Sequence, residues 1–343
     1  MKVFVGLSGG VDSATSAALL QQAGHDVTGV FIRIAIDGYP CTAGEDRLDA
    51  MRVAAHLGIP FKEIDLSAEY KQKVFDESVK EFARGRTPNP DTLCNREIKF
   101  GLFFDWCMQN GAERVATGHY AQVKDGLLYM GVDPEKDQSY FLWAVPQQHL
   151  VKTIFPIGHL HKSEVRTLAA KFGLPNAARK DSQGLCFLGP ISVQDMLQQE
   201  LAPTPGNVLD ESGKVVGTHD GALLYTLGQR HGFVLAAHTA TTAPHYVVGK
   251  DVAHNTITVS TDKFPRHASK TVVTLVDSNW IGALAKGTHT ARYRYRQELM
   301  SATIENNVAT LDAPHYVPVG QSLVLYDGEQ CVGGGVVDTS TLE

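Results

Sequence analysis

Three short segments carry residue types that could do chemistry. The first, Gly6-Leu7-Ser8-Gly9-Gly10-Val11-Asp12-Ser13, follows an apolar stretch and opens a helix-like one. Its glycines let the backbone turn tightly and aim N–H groups at an anion. Its serines add hydroxyl donors, and a helix N-terminus adds partial positive charge. The segment has neither the Gly-Lys-Ser/Thr ending of a Walker A loop nor the GxGxxG of a dinucleotide fold. An ordinary Gly-rich strand–helix turn is the alternative. The second segment runs Thr87-Pro88-Asn89-Pro90-Asp91-Thr92-Leu93-Cys94-Asn95. Its two prolines impose an extended approach to a helix start, which places Cys94 at or near a helix N-terminus, where the dipole favours thiolate. Asp91 would then either handle a proton in the same pocket or cap the helix. The third segment, residues 179–189, puts the cations Arg179 and Lys180 upstream of Cys186 in a glycine-containing loop, again a setting for a thiolate. Cys107 and Cys331 lie on apolar stretches and read as core.

The elements that must position these residues alternate in the first half of the chain. KVFVGL, DVTGVFIRIAI, FKEIDL and ERVATGHY read as buried strands. Between them lie helix-like runs ending at Gly24 and Gly58, then one from about Ala68 to Phe82 and one from Asn95 to Gln109. Such alternation implies an α/β fold with a parallel sheet, whose ligands bind beyond the carboxyl ends of the strands. Near residue 200 the Pro-rich LAPTPGNV breaks the pattern. Short strands with hairpin turns follow (DESGK, ENN, DGEQ), as expected of small barrels. The expected division is a catalytic domain over 1–199, a small central domain over 200–267 and a C-terminal β-barrel over 268–343.

Composition limits the function class. The 343 residues suffice for two or three domains, and 43% hydrophobic with 20% charged residues is a globular balance. No stretch approaches a membrane span, and the first residues lack the apolar core of a signal peptide. Five scattered cysteines are not a secreted disulfide framework or a zinc ribbon. A cytoplasmic enzyme without a membrane partner is expected. A net charge of −6 means that any nucleic acid must be met by a local basic patch. Residues 263–300 supply one, with seven lysines and arginines against Asp277 and Glu298. Within it, Arg292-Tyr293-Arg294-Tyr295-Arg296 reads as a strand with arginines on one face and tyrosines on the other. Arginine suits phosphate and tyrosine can stack on a base, although tyrosines in a barrel core fit the pattern equally.

The first segment resembles the PP-loop, SGGxDS, of the ATP pyrophosphatase superfamily, whose members adenylate a carbonyl oxygen to make it a leaving group. With TPNPDTLCNREIKFG, ATGHYA, DPEKDQSYFL, KDSQGLCFLG, LLYTLGQRHG, HYVVGKD, ARYRYRQ and GQSLVLYDGEQCVGGG, the chain resembles the tRNA-specific 2-thiouridylase family along its full length. The resemblance implies ATP-dependent replacement of the C2 oxygen of the wobble uridine by sulfur. Gly6, Leu7, Ser8, Gly9, Gly10, Val11, Asp12 and Ser13 would hold ATP phosphates accompanied by Mg²⁺. Ile32, which stands where related chains can carry methionine, and Gly118 would lie near the adenine. Asn89, Pro90 and Asp91 would meet the target base. Cys186 would carry persulfide sulfur from a donor such as a cysteine desulfurase or relay protein. Cys94, the nucleophile position of the family, would close a disulfide with Cys186 as sulfur leaves. His119, Lys136, Asp137, Gln138, Arg294, Tyr295 and Gln321 would touch tRNA, with the Lys, Glu and Gln isoacceptors implied. His119 reads equally as a structural histidine. The remaining histidines lack ligand spacing, so no protein-held metal cage is expected.

Two other classes fit parts of the sequence. A PP-loop synthetase acting on a small molecule would leave the two cysteine segments and the basic region unused. A nucleotide- and RNA-binding module without catalysis would leave the thiols unexplained.

Overall fold

A computed structural model describes residues 1–40, 43–181, 184–236, 243–264, 266, 268–284 and 286–343. Cys41, one of the five cysteines, and Ser182 and Gln183 of the third segment lie outside the described residues.

The N-terminal half is built on a five-stranded, wholly parallel sheet. Strand β1 (Lys2–Gly6) leads into helix α1 (Val11–Gln22), β2 (Asp26–Arg33), α2 (Ala43–Leu57) and β3 (Phe61–Asp65). Strand β4 (Arg114–Ala116) follows two long helical runs, at 67–83 and 90–109. The antiparallel hairpin of β5 (Ala121–Lys124) and β6 (Leu127–Met130) then leaves the sheet, and β7 (Thr153–Ile154) returns to it. The spatial order is β3-β2-β1-β4-β7.

Period-2 alternation on β1 feeds two cores. Val3 and Val5 pack with α1 and α2, whereas Phe4 faces the opposite side with Ile98, Phe103 and Phe104. Both faces are therefore covered, which is why the strands read as continuous apolar runs. The order reverses between β1 and β4, and the crevice beyond their carboxyl ends is where an open α/β sheet takes its ligand.

Two expected boundaries move. The strand read through ERVATGHY ends at Ala116, so Thr117, Gly118 and His119 form a loop over that crevice. The helix expected from Asn95 begins at Pro90 instead, with Asn89 as its cap, the side chain accepting from the Thr92 N–H at 3.2 Å. Proline is tolerated at the first helical position because its missing N–H would have been unpaired anyway. Cys94 thus lies a full turn inside the helix and opens a stretch of π-helical turns, Cys94–Leu102.

The second half is β-rich. Strands Gly206–Leu209, Val215–His219, Phe233–Leu235, Tyr246–Asp251 and Thr256–Ser260 form one sheet. The last part is a barrel of six strands, from Thr271–Trp280 through Gln330–Leu342, closed where those two pair with each other. The β5–β6 hairpin, turned at Asp125 and Gly126, adds to this sheet by pairing Tyr129 with Gln330 and Leu128 with Cys331. Through it the barrel is joined to the N-terminal half. Among the described residues no helix is long and apolar enough to cross a membrane.

Candidate active site

The loop after β1 is held from behind. Gly9 adopts φ +76, and a Cβ there would stand 2.6 Å from the Asp46 carbonyl oxygen. Its own carbonyl accepts from Asn176 Nδ2 (2.7 Å) and Arg179 Nη1 (3.2 Å). The Ser13 hydroxyl accepts from the Ser8 N–H at 3.1 Å and lies 3.2 Å from the Ser8 hydroxyl. Gly10 caps α1 without any side-chain capping bond, so the first N–H groups of that helix remain available to an anion. Gly118 sits against this turn, where a Cβ would meet the Ser13 nitrogen at 2.6 Å.

A cation cluster borders the loop. Lys162 Nζ donates to both Asp12 oxygens, at 2.8 and 2.9 Å, and pairs with Asp181 at 2.8 Å. Lys136 and Arg166 also pair with Asp181 at 2.8 Å each. Burial alone would raise the Asp181 carboxyl, but hydrogen bonds from Lys136 and Lys162 outweigh it and hold the pKa at about 2. Lys162 was not singled out from the sequence, where it is one more lysine at a helix start.

A cavity of about 750 Å³ runs from this loop to the cysteines. Of the residues expected at the nucleotide, Gly6, Leu7, Ser8, Gly10, Val11, Asp12, Ser13, Ile32 and Gly118 line it, and Gly9 lies behind the loop. Its far end is bordered by Asp91, Asn95, Lys99, His119 and Cys186. A second cavity of about 410 Å³ is lined by Asn89, Pro90, Arg294 and Gln321, and shares Asp91, Phe141 and Tyr295 with the first. Asn95 donates to the Phe141 carbonyl at 3.1 Å, and its buried Oδ1 has no partner among the described residues.

The thiols meet although 92 positions separate them. The Cys186 thiol is within hydrogen-bonding reach of the Cys94 thiol, and both are free. Cys94 is wholly buried behind it, and the Cys186 side of the pair faces the cavity. The Cys186 loop is braced by the Tyr70 hydroxyl, which donates to the Cys186 carbonyl at 2.8 Å. Phe187 takes a left-handed φ of +68.

Of the two cations expected to activate Cys186, Lys180 lines the same cavity but Arg179 is engaged elsewhere. Arg179 is spent on Asp46 and Asp49. The cation at the sulfur is Lys99, whose Nζ lies 3.7 Å from Cys186 Sγ and 3.4 Å from His119 Nε2. The hydrogen bond from Cys94 and burial push the Cys186 thiol well up, Asp91 adds to this, and Lys99 opposes it. Burial and Lys99 push His119 well down, so it is neutral, and its Nδ1 lies 2.7 Å from the Thr117 hydroxyl. Burial raises Cys331 to about 12 and Cys107 higher still, as inert core thiols.

The basic segment departs from the expected strand. It leaves the sheet after Arg292, Arg296 takes a φ of +58, and Tyr295 and Arg296 border the larger cavity. Arg292 is buried, pairing with Asp137 and with the Tyr326 hydroxyl at 2.7 Å. Asp137 also accepts from the N–H groups of Gly131 and Ser139, at 3.0 Å each. Neither Arg292 nor Asp137 borders either cavity, and both side chains are buried. Arg294 donates to the Leu227 carbonyl, and Tyr295 packs on Phe141 with ring centroids 4.8 Å apart. Gln138 accepts from the Tyr120 N–H at 3.0 Å beside Lys136.

Comparison with known proteins agrees with this three-part build. Residues 1–190 match the model described as the tRNA methyl transferase HUP domain, residues 194–261 its PRC-barrel domain, and residues 270–337 the aminomethyltransferase β-barrel domain. The tRNA-specific 2-thiouridylase MnmA of Polaromonas naphthalenivorans is 43% identical, covering 100% of this chain and 95% of its own. The protein of the same name from Lacticaseibacillus paracasei is 42% identical, covering 99% and 95%. That of Lactococcus lactis subsp. cremoris is 41% identical, covering 100% and 96%. Identity at this level over whole chains, with three domains matched in order, means that the chain belongs to the tRNA-specific 2-thiouridylase family.

Proposed function

We propose that the chain is an ATP-dependent tRNA sulfurtransferase that converts the C2 carbonyl of the wobble uridine to a thiocarbonyl. The observation that carries this reading is one continuous cavity with a phosphate loop at one end and a cysteine pair at the other. A uridine C2 oxygen is a poor leaving group. Attack of that oxygen on the α-phosphorus expels pyrophosphate and leaves the oxygen as an AMP ester. The terminal sulfur of a Cys186 persulfide then adds at C2 and expels AMP. Cys94 attacks the Cys186 sulfur, which forms the Cys94–Cys186 disulfide and leaves the transferred sulfur on C2. An external dithiol returns the two electrons and is itself oxidised to a disulfide before the next cycle, as fits a cytoplasmic enzyme whose disulfide is transient.

The residues divide this work by position. The loop from Gly6 to Ser13 cradles the phosphates, and Ile32 and Gly118 border the nucleotide. Asp91, at the junction of the two cavities, handles the proton of the reacting base, with Asn89 and Pro90 beside it. Arg294, Tyr295 and Gln321 line the smaller cavity, and Lys136, Gln138 and His119 the larger, on the path of an entering anticodon loop. Mg²⁺ would neutralise phosphate charge, and Asp12, the carboxylate of the loop that lines the cavity, would hold it in exchange for its contact with Lys162. A cysteine desulfurase or relay protein would supply the sulfur, and the tRNAs for Lys, Glu and Gln are the expected substrates. Methyl transfer, which the domain descriptions mention, would use neither the phosphate loop nor the paired thiols.

The test is mass spectrometry of nucleosides from unmodified tRNA incubated with ATP, Mg²⁺ and a persulfide donor. We expect 2-thiouridine together with AMP and pyrophosphate. Cys186→Ser should abolish the thionucleoside and keep ATP and tRNA binding. Thiolation that persists in that variant would overturn the reading.

A further inference from the structure

Among the described residues Lys99 is the one cation shown in contact with the Cys186 sulfur. It lies five residues after Cys94, on the π-helical stretch Cys94–Leu102. Such turns alter which side chains share a face, so a residue at this spacing comes round to the cysteine side. Its Nζ stands 3.7 Å from Cys186 Sγ and donates to His119 Nε2 at 3.4 Å. The Phe187 ring centroid lies 5.7 Å from the same ammonium. The other ionisable groups around the sulfur come from every neighbouring element. They are Cys94 and Asp91 on the same helical run, Tyr70 on the run at 67–83, and His119 on the loop after β4. All of these except neutral His119 are acids, so without Lys99 any negative charge on the sulfur would sit among like charges in a partly dry site.

We propose that Lys99 is a positioning residue for sulfur transfer, its ammonium holding the anionic sulfur carried by Cys186 while neutral His119 holds the ammonium in place. This rests on the sulfur-transfer reading above. No bond forms to Lys99. The proton lost by the thiol or persulfide goes to solvent, and Lys99 remains an ammonium throughout. The geometry explains why His119 is buried with both ring nitrogens committed. With Nδ1–H donated to Thr117, Nε2 is left as an acceptor, and it can receive only from a donor such as the Lys99 ammonium. It also explains the asymmetry of the pair, since Lys99 contacts the cavity-facing Cys186 and the buried Cys94 lies behind it.

The experiment is the pH profile of iodoacetamide alkylation at Cys186 in the full chain, read by peptide mass spectrometry without ATP or tRNA. An opposite charge at this distance lowers an acid pKa by about 1–3 units. The midpoint for Lys99→Met should therefore lie at least about one pH unit above wild type, with alkylation at pH 7 roughly tenfold slower. Lys99→Arg should stay near wild type, and Lys99→Gln, a polar side chain without the charge, should follow Lys99→Met. Either uncharged variant carries the test if the other does not accumulate folded. Superimposable profiles for wild type and an uncharged variant that still binds ATP would overturn the proposal. Because this readout needs no turnover, it stands or falls separately from the thiolation assay. In turnover, the Lys99→Met rate should recover towards alkaline pH, and a uniform loss at all pH values would overturn the charge role.

Discussion

At one end of the cavity, the eight consecutive residues from Gly6 to Ser13 would make the proposed anion site from their own backbone. At the other, the Cys186 sulfur is surrounded by Cys94 and Lys99, and the group is completed by Tyr70 and His119 from separate stretches of chain. The first site needs only a strand, a tight turn and a helix start, which nearest neighbours in sequence provide. The second needs two loops and two helical runs to arrive together, so its properties depend on packing. The difference separates tolerance from reactivity. A backbone cradle fails when the turn cannot form, whereas a side-chain site can lose one charge, keep its shape and change its chemistry.

The sharpest break of this comparison is at the turn. Gly9→Val together with Gly10→Val should abolish ATP binding and pyrophosphate release, because Gly9 has a left-handed φ and no room for a Cβ. The thiol end should still alkylate normally, as measured on the same sample. Undiminished nucleotide binding would show that the loop is not the phosphate site.

A smaller and different effect is expected in the basic segment. Arg292→Gln breaks a buried pair with Asp137 and should cost about 3–5 kcal/mol of stability, read from denaturant unfolding. Arg294→Gln with Arg296→Gln should instead leave ATP binding intact and flatten the salt dependence of tRNA affinity by up to about 2 units of slope. If Arg292→Gln changed the salt slope without loss of stability, the division between scaffold and RNA-facing arginines would be wrong.

The smallest effect is a pH dependence. His119 is held neutral by burial and by Lys99, so its folded pKa lies well below the ordinary 6.5. The unfolded chain takes up a proton below about pH 6.5 and the folded chain does not. Stability contributed by neutral His119 is therefore present above that pH and lost progressively as pH falls below it. His119→Gln should lower the melting temperature at pH 8 yet flatten its fall between pH 6.5 and pH 5. An unchanged slope in that window would mean that other groups carry it.

The legibility of the chain follows the same division. The alternation of strands and helices, the phosphate loop and the change to short strands after residue 200 are local patterns that nearest neighbours encode. The helix start was misplaced by five residues because Pro90 reads as a breaker, although at the first helical position it costs nothing. The Arg292–Arg296 alternation suggested a strand, but tertiary contacts to the 135 and 227 loops turn the chain instead.

Residue types by themselves determined that this chain has a Gly-rich strand–helix turn suited to an anion, two cysteine segments in helix-start or loop settings, and a basic region inside an acidic chain. They determined this because each depends on neighbours within a few positions. Only the tertiary structure decided that Cys94 and Cys186 come together, that Arg179 braces the Gly9 turn while Lys99 stands at the sulfur, and that Arg292 is buried. Those outcomes turn on distances of a few ångströms between residues tens to hundreds of positions apart. Charge interactions and hydrogen bonds depend on such distances, and no spacing in a sequence specifies them.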